Sequence, residues 1–382
     1  MPERSKNMLD LLPRYQRVRM ELERELAGLD IGAKIPTEHE IVEKYKVSRV
    51  TARMALRSLR KDGTVKSYAG RGTFLARKVV PSGTVTGGTR FIGVVVPSTQ
   101  GQLSEIVCAV EAQAAKMGYH MVLAYDNNDP KLQAKQIHSV LSANVDGLIV
   151  YPDREASERS DFLKMLSNIG RKGTPLVLLD RYVAGFELPC VMTDNIRGMY
   201  EATEHLICCG RRRIALIGLW ENNTVHQDRR KGFMDALRDA GIHEPVCEAN
   251  TGIQPFDRAA YEIVSGWIKG KDAKRLPFDS IVCMNDRIAH GAFTALRDAG
   301  IQVPQQVALV GYDNVDSAFF RSRGLNLTSV EQPLAQMGSI AVEMLVDEIK
   351  GRQKDRMNRH RLLSPKLVVR TSCGEQARAV RD

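Results

Sequence analysis

From Phe91 onward the chain repeats one pattern, a short apolar run rich in β-branched residues followed by a longer stretch of helical period. The runs are FIGVVVP (91–97), YHMVLAYD (119–126), VDGLIVYP (145–152), TPLVLLDR (174–181), RIALIGL (213–219), FDSIVCMND (278–286) and QVALVGYD (306–313). Near-continuous apolar strands separated by helices mark parallel sheets covered on both faces; an antiparallel sheet with one wet face alternates apolar and polar residues instead. Seven such units are too many for one domain of ordinary size, and MTDN after Cys190 and Val191 reads as a junction. The expectation is two α/β lobes with parallel sheets around a cleft, where ligands bind beyond the carboxyl ends of strands. One continuous sheet would contradict it.

The first 80 residues have a different character. They hold 18 Lys and Arg against 10 Asp and Glu, a surplus of eight that leaves only two of the chain's net +10 for everything after it. Residues 15–27 have helical period, with Val18, Leu22 and Leu26 on one face. A second helix starts at PTEHEIVEKY, where Thr37 and Glu40 have the spacing of a capping box and Ile41, Val42 and Tyr45 share a face. After a tight turn at Lys46 and Val47, Ser48 is a suitable N-cap for a third helix. There Ala52, Ala55, Leu56 and Leu59 form one stripe, while Arg49, Arg53, Arg57 and Arg60 form another. No acid lies between 48 and 61, so the stripe carries a single sign, unlike an ordinary solvated helix. TVKSYAGRGTFLA then reads as two short strands about a tip at Ala69–Gly72, where the glycines allow a close approach and Arg71 is presented.

Residues 13–77, and above all IPTEHEIVEKYKVSRVTARMALRSLRKDGTVKSYAGRGTFLAR, resemble the winged helix-turn-helix of the GntR family of transcription regulators. The resemblance implies an α+β DNA-binding domain whose recognition helix enters the major groove. It further implies DNA contacts by Arg49, Arg53, Gly70, Arg71 and Gly72, with Ser48 and Thr51 at the helix start and Thr51 against the backbone. Arg49 and Arg53 are the candidates for base edges, and Arg57 and Arg60 for phosphates. His39 stands where the family often has Arg in the second helix.

Residues 91–373 resemble the LacI/GalR-type effector domain, a relative of the periplasmic sugar-binding proteins. The matching segments include IGVVVP, VDGLIVYP, PLVLLDR, HLICCGRRRIALIG, RRKGFMDALRDAG, CMNDRIAHGAFTALRDAGIQVPQQVALVGYDN and LTSVEQPLAQMG. A GntR reader joined to such a sensor is similar to the arabinose-type repressors. The resemblance implies a homodimer that binds double-stranded operator DNA under control of a small effector, a sugar, with no cofactor, no metal and no catalysis; the alternative is a purine or another non-sugar metabolite. It places Arg229 on ligand hydroxyls. Asn285, Asp286 and Asp313 lie at strand carboxyl ends, and an Arg, Asn and Asp set supplies the donors and acceptors that a polyol needs. Ser98, Tyr151, Asp153, Arg181 and Phe256 complete the candidate effector contacts. The family's aromatic pair after the first strand is replaced by Ser98-Thr99-Gln100-Gly101-Gln102, which implies a wider or more polar pocket.

The expected organisation is a DNA-binding domain at 1–77, a Gly-, Ser- and Thr-rich linker at 78–90, an effector domain at 91–375 and a tail at 376–382. KGRQKDRMNRHR (350–361) reads as an exposed loop. The sequence has no G-x-S-x-G, P-loop or H-E-x-x-H motif, which argues against an enzyme. Its seven cysteines include no C-x-x-C pair and read as reduced thiols rather than a disulfide frame or zinc site. No apolar run reaches 18 residues and no signal peptide precedes the reader, so a cytoplasmic location is expected.

Overall fold

The two kinds of sequence pattern fold as two separate units, residues 1–89 and 90–382. The structure, a computed structural model, describes residues 14–26, 28–61, 63–68, 71–77, 89–219, 223–252, 255–271, 275–315, 317–352 and 359–374. Most of the expected linker, and the tail, lie outside these residues.

In the first unit, α1 (Arg14–Leu26), α2 (Glu38–Tyr45) and α3 (Arg49–Lys61) precede an antiparallel hairpin of β1 (Val65–Tyr68) and β2 (Gly72–Leu75). The capping box closes α2 as its spacing predicts, with the Glu40 N–H donating to Thr37 Oγ1 and the Thr37 N–H to Glu40 Oε2. Lys46 ends α2 in a left-handed conformation, φ 48°, turning the chain toward α3. Ser48 Oγ accepts from the Thr51 N–H at 3.2 Å and caps α3. Leu22, Leu26, Ile41, Ala52, Ala55 and Leu59 are fully buried together, joined by Val65 and Leu75 of the hairpin. Each buried leucine contributes roughly 1.5–3 kcal/mol, which is what holds these short elements in place.

In the second unit the elements run β3 (Phe91–Val96), α4 (Gln102–Lys116), β4 (His120–Tyr125), α5 (Pro130–Ser142), β5 (Gly147–Val150), α6 (Ser160–Arg171), β6 (Leu176–Leu179) and β7 (Cys190–Thr193). They continue α7 (Asn195–Cys208), β8 (Ile214–Gly218), α8 (Thr224–Asp239), β9 (Cys247–Asn250), α9 (Phe256–Ile268), β10 (Ser280–Cys283), α10 (Asp286–Asp298), β11 (Ala308–Asp313), α11 (Ser317–Arg321) and β12 (Thr328–Glu331). Last come α12 (Leu334–Ile349), β13 (His360–Leu363) and β14 (Lys366–Val368).

Two six-stranded sheets result, ordered β13-β7-β6-β5-β3-β4 and β14-β12-β11-β10-β8-β9. The first is parallel throughout; in the second, β14 alone runs antiparallel, against β12. The chain leaves the first lobe at Asp194, returns through Gln332 and Pro333 to place α12 beside α4, and crosses again at Ser364 and Pro365. Three strands of chain therefore join the lobes. Gly338 lets α12 approach α4 closely, since a Cβ there would lie 2.6 Å from the Ile106 carbonyl oxygen.

One expectation needs correction. The 350–361 segment is not all loop, because His360 and Arg361 open β13, paired with Cys190 and Val191. Cys209 and Cys373 come together with His205, their ligand-type atoms within 4.8 Å of one another; His205 and Cys209 share a turn of α7 and its end, and Cys373 arrives from far along the chain.

Candidate functional site

On α3 the exposed face carries Arg49, Arg53, Arg57 and Arg60, as its period predicts. The charge is not wholly uncompensated. Arg53 Nε donates to Glu38 Oε1 at 3.1 Å, an acid that α2 brings alongside. Val50 and Met54 are exposed between the arginines, at 68% and 46%. The Thr51 and Ser48 hydroxyls share a hydrogen bond of 2.9 Å, so both side chains also shape the helix start. His39 is exposed, 3.7 Å from Glu43. At the hairpin Arg71 is exposed and Gly72 has φ 112°; Gly70 lies outside the described residues. A helix of this kind, with guanidinium groups and small apolar groups on one face, can meet phosphates, guanine edges and thymine methyls.

In the second unit a cavity of about 560 Å³ lies at the carboxyl ends of both sheets, lined from each lobe. Six of the nine candidate residues line it: Tyr151, Arg181, Arg229, Phe256, Asn285 and Asp313. Arg229 is the most constrained. It stacks on the Tyr312 ring at 3.6 Å, donates from Nε to Asn195 Oδ1 at 2.9 Å and from Nη1 to the Met284 carbonyl, and reaches Asp313 Oδ1 at 3.4 Å. Burial raises the Asp313 carboxyl above its usual range, with Arg229 and the Gln332 amide pulling the other way. Asn285 caps α10, its Oδ1 accepting from the Ile288 N–H at 2.8 Å, while its amide nitrogen carries two donors of its own.

Three candidates are placed elsewhere. Ser98 lies off the lining, its hydroxyl accepting from the Gln100 N–H at 3.1 Å. Asp153 is buried in its own loop, bound by Arg159 Nη1 at 2.8 Å and the Glu155 N–H at 2.9 Å. Asp286 is buried inside the second lobe, accepting from Ser329 Oγ at 2.7 Å and the Val315 N–H at 2.8 Å; burial lifts its pKa well above the usual carboxylate range. In each, the carboxylate or hydroxyl fastens local backbone instead of facing the cavity.

Sequence reading missed several lining residues. Asp180 is the clearest, because LLDR repeats at the end of β6 what GYDN does at the end of β11. Both aspartates have positive φ, 70° and 100°, a conformation that costs L-residues energy and gathers at ligand sites. Asp180 Oδ2 accepts from Arg181 Nη2 at 3.0 Å, so the first lobe, like the second with Arg229 and Asp313, offers an Asp–Arg pair to the cavity. Gln332, at a crossing between lobes, donates to Asp313 at 2.7 Å and accepts from Thr193 Oγ1 at 2.7 Å. Arg154, Asp257, Arg287 and His290 also line the cavity; Arg287 and His290 lie within the CMNDRIAHG segment, which pointed to Asn285 and Asp286 and not to them. A wider groove of about 1130 Å³ runs between α8 and β9, but its charges pair among themselves, Arg230 with Glu248 and Lys231 with Asp235.

Known proteins share both halves. Residues 14–75 match the bacterial regulatory proteins of the gntR family, and residues 203–373 match the periplasmic binding protein-like domain. The chain is 30% identical over 379 residues to an arabinose metabolism transcriptional repressor of Geobacillus stearothermophilus, covering 95% of this chain and 98% of that protein. It is 28% identical over 287 residues to the HTH-type transcriptional repressor PurR of Haemophilus influenzae (strain PittEE), covering 74% of this chain and 81% of the relative. The crystal structure of the transcription regulator CcpA of Lactococcus lactis aligns with a TM-score of 0.63 at 25% identity, over 74% of this chain and 98% of that one. With a basic reading helix in one unit and a two-lobed effector cavity in the other, the chain belongs to the family of transcriptional repressors that join a GntR-type winged helix-turn-helix to a periplasmic-binding-protein-like sensor.

Proposed function

We propose that the chain is a homodimeric repressor whose reader (1–77), tied by a linker (78–90) to the sensor (91–375), releases or takes hold of operator DNA when a small carbohydrate enters the cavity. A dimer with two-fold symmetry reads a roughly palindromic operator through two copies of α3. Arg49 and Arg53 reach base edges, Arg57 and Arg60 phosphates, and Arg71 with the hairpin tip an adjacent groove. The observation that carries the carbohydrate reading is the lining itself. Asp180, Asp313 and Asn285 with two paired arginines form the mixed donor and acceptor set that adjacent hydroxyls satisfy.

The relatedness to an arabinose repressor supports the same class. Relatedness to PurR raises a purine as the second reading. A flat base needs an open ring to stack on, and guanidinium groups already lie over the two aromatic rings of the lining, Arg181 5.0 Å from Tyr151 and Arg154 4.8 Å from Phe256. We therefore place the carbohydrate first. The test is thermal stability of the purified chain against pentoses, hexoses, disaccharides, sugar acids, sugar phosphates and purines. A ligand at 100 times its Kd stabilises the fold by about 2.7 kcal/mol. A shift with a carbohydrate, lost in Asp313→Asn, is expected; a shift with purines alone would transfer the sensor to that class.

A further inference from the structure

Four guanidinium groups line the effector cavity against three carboxylates. Three of the four have an acid to answer them: Arg181 with Asp180 at 3.0 Å, Arg229 with Asp313 at 3.4 Å and Arg287 with Asp257 at 3.9 Å. Arg154 does not. Among the described residues its guanidinium meets no carboxylate within ion-pair distance; it rests on the Phe256 ring, 4.8 Å from the centroid, across from the first lobe to the second. A cation over a ring gains far less than one matched to an anion, and a half-buried charge with like-charged neighbours is costly to hold. Burial lowers its affinity for the proton, and Arg181 and Arg287 add to this.

A second observation lies on the same wall. The amino-terminal turn of α4 contributes Gln102 and Leu103 to the lining, and its N-cap is Gly101, with no side chain to accept from the turn's backbone N–H groups. A 15-residue helix presents partial positive charge there. Among the described residues the lining supplies no opposite charge, since each of Asp180, Asp257 and Asp313 already has its own arginine. The hydroxyl-binding set at Asp313 and Asn285 is left for the neutral part of the ligand.

We infer that the effector is an anionic carbohydrate, a sugar acid or sugar phosphate, whose carboxylate or phosphate is held by the Arg154 guanidinium. This rests on the carbohydrate reading above and narrows it. Entry of the anion gives Arg154 a partner with which its planar fork can form two parallel hydrogen bonds, displacing the Phe256 ring. A neutral sugar of the same skeleton leaves that cation as it was.

The experiment is calorimetric titration of the full chain with matched sets: arabinose, arabinonate and arabinose 5-phosphate; glucose, gluconate, glucuronate and glucose 6-phosphate. Wild type, Arg154→Gln and Asp313→Asn are compared, with circular dichroism and melting curves checking that both variants fold. In one set the anionic member is expected to bind more tightly than its neutral partner by on the order of 10- to 100-fold, the worth of a charge-assisted contact. Arg154→Gln should collapse that ratio toward one while sparing the neutral sugar, and Asp313→Asn should weaken both members alike. Preference for the carboxylate or the phosphate member identifies the source of the charge. If the neutral sugar binds as well as its anionic partners, or the ratio survives in Arg154→Gln, the inference is wrong and the carbohydrate reading stands. If no member of either set binds and a purine does, both fall together.

Discussion

Arg229 lines the cavity and also holds the fold, which makes it a poor probe of binding. It is 3% exposed and joins Asn195, Met284, Asp313 and the Tyr312 ring. Removing it leaves Asp313 buried without its cation, which typically costs about 3–5 kcal/mol. Arg229→Ala should therefore melt several degrees lower with no ligand present; a melting temperature equal to that of wild type would refute this account of Arg229. Tyr312 offers the opposite case. Its hydroxyl is buried, has no hydrogen-bond partner among the described residues and crowds Gly198, where a Cβ would lie 2.6 Å from it. Tyr312→Phe should be neutral or slightly stabilising in a denaturant titration, and Gly198→Ala clearly destabilising. A third residue gives a pH dependence. Burial, reinforced by Asp194, lifts the Asp228 carboxyl from an ordinary 3.8 to about 6 against the pull of Lys231, the Tyr182 hydroxyl and Arg229. The folded chain thus holds that proton more tightly than the unfolded one. Its contribution is complete below about pH 4 and is lost as pH rises through 6. The melting temperature of Asp228→Asn should lie close to wild type below about pH 4, exceed it increasingly from about pH 4 to 6 and hold a constant margin above about pH 6.5; parallel curves across about pH 4 to 6 would dismiss the assignment.

At the scale of elements, α3 carries two separable duties. Its start is built by Ser48, and Ser48→Ala should cost about 1 kcal/mol of stability in the reader. Its exposed face is built by alternation of arginines with Val50 and Met54. Arg49→Ala should relax sequence preference by roughly 1–3 kcal/mol at one base pair, and Arg60→Ala should weaken all sequences alike and reduce the salt slope by about one. Fluorescence anisotropy on operator and scrambled duplexes at several salt concentrations separates the two; a uniform loss from Arg49→Ala would move it among the phosphate contacts. These elements were legible because their signals are local: a capping spacing, a stripe of period 3.6, seven apolar runs that became β3, β4, β5, β6, β8, β10 and β11. The other strands of the second unit escaped for physical reasons. β9 is an edge strand with the sequence CEAN, only partly buried, so it lacks an apolar run. β13 and β14 take their places by pairing with β7 and β12, far away in sequence, and β13 is largely exposed. The site divides in the same way. Asp313 and Asn285 follow recognisable strands directly. Arg154 and Arg287 follow recognised runs too, but an arginine beside a strand end does not by itself tell the cavity from solvent, whereas Asp257 reaches the cavity from the start of α9. Glu38, too, meets Arg53 only once α2 and α3 have packed.

For the molecule as a whole, a repressor is useful only if the cavity and the operator affect each other, and the three crossings between lobes are where that influence can act. Gln332 sits at one crossing and touches the cavity, linking Thr193 at the end of β7 to Asp313 at the end of β11. A ligand that engages Asp313 therefore bears on a hydrogen bond that spans two of the three connections. Coupling of this kind is reciprocal: whatever factor the effector imposes on operator affinity, the operator imposes on effector affinity, and 1–3 kcal/mol is typical. Moving a population from 1:99 to 99:1 requires about 5.5 kcal/mol of differential affinity, so a weakly discriminating ligand tunes the repressor without switching it. Gln332→Ala keeps the Arg229–Asp313 pair and Asn285 in place, so effector affinity in the absence of DNA should change only a few-fold. The ratio of operator affinities with and without effector should shrink much more, by roughly 0.5–2 kcal/mol in coupling. Measuring both ligands, each with and without the other, closes the thermodynamic square for wild type and variant. If Gln332→Ala lowers effector affinity strongly while leaving the ratio intact, Gln332 is a ligand contact and the link between the lobes lies elsewhere.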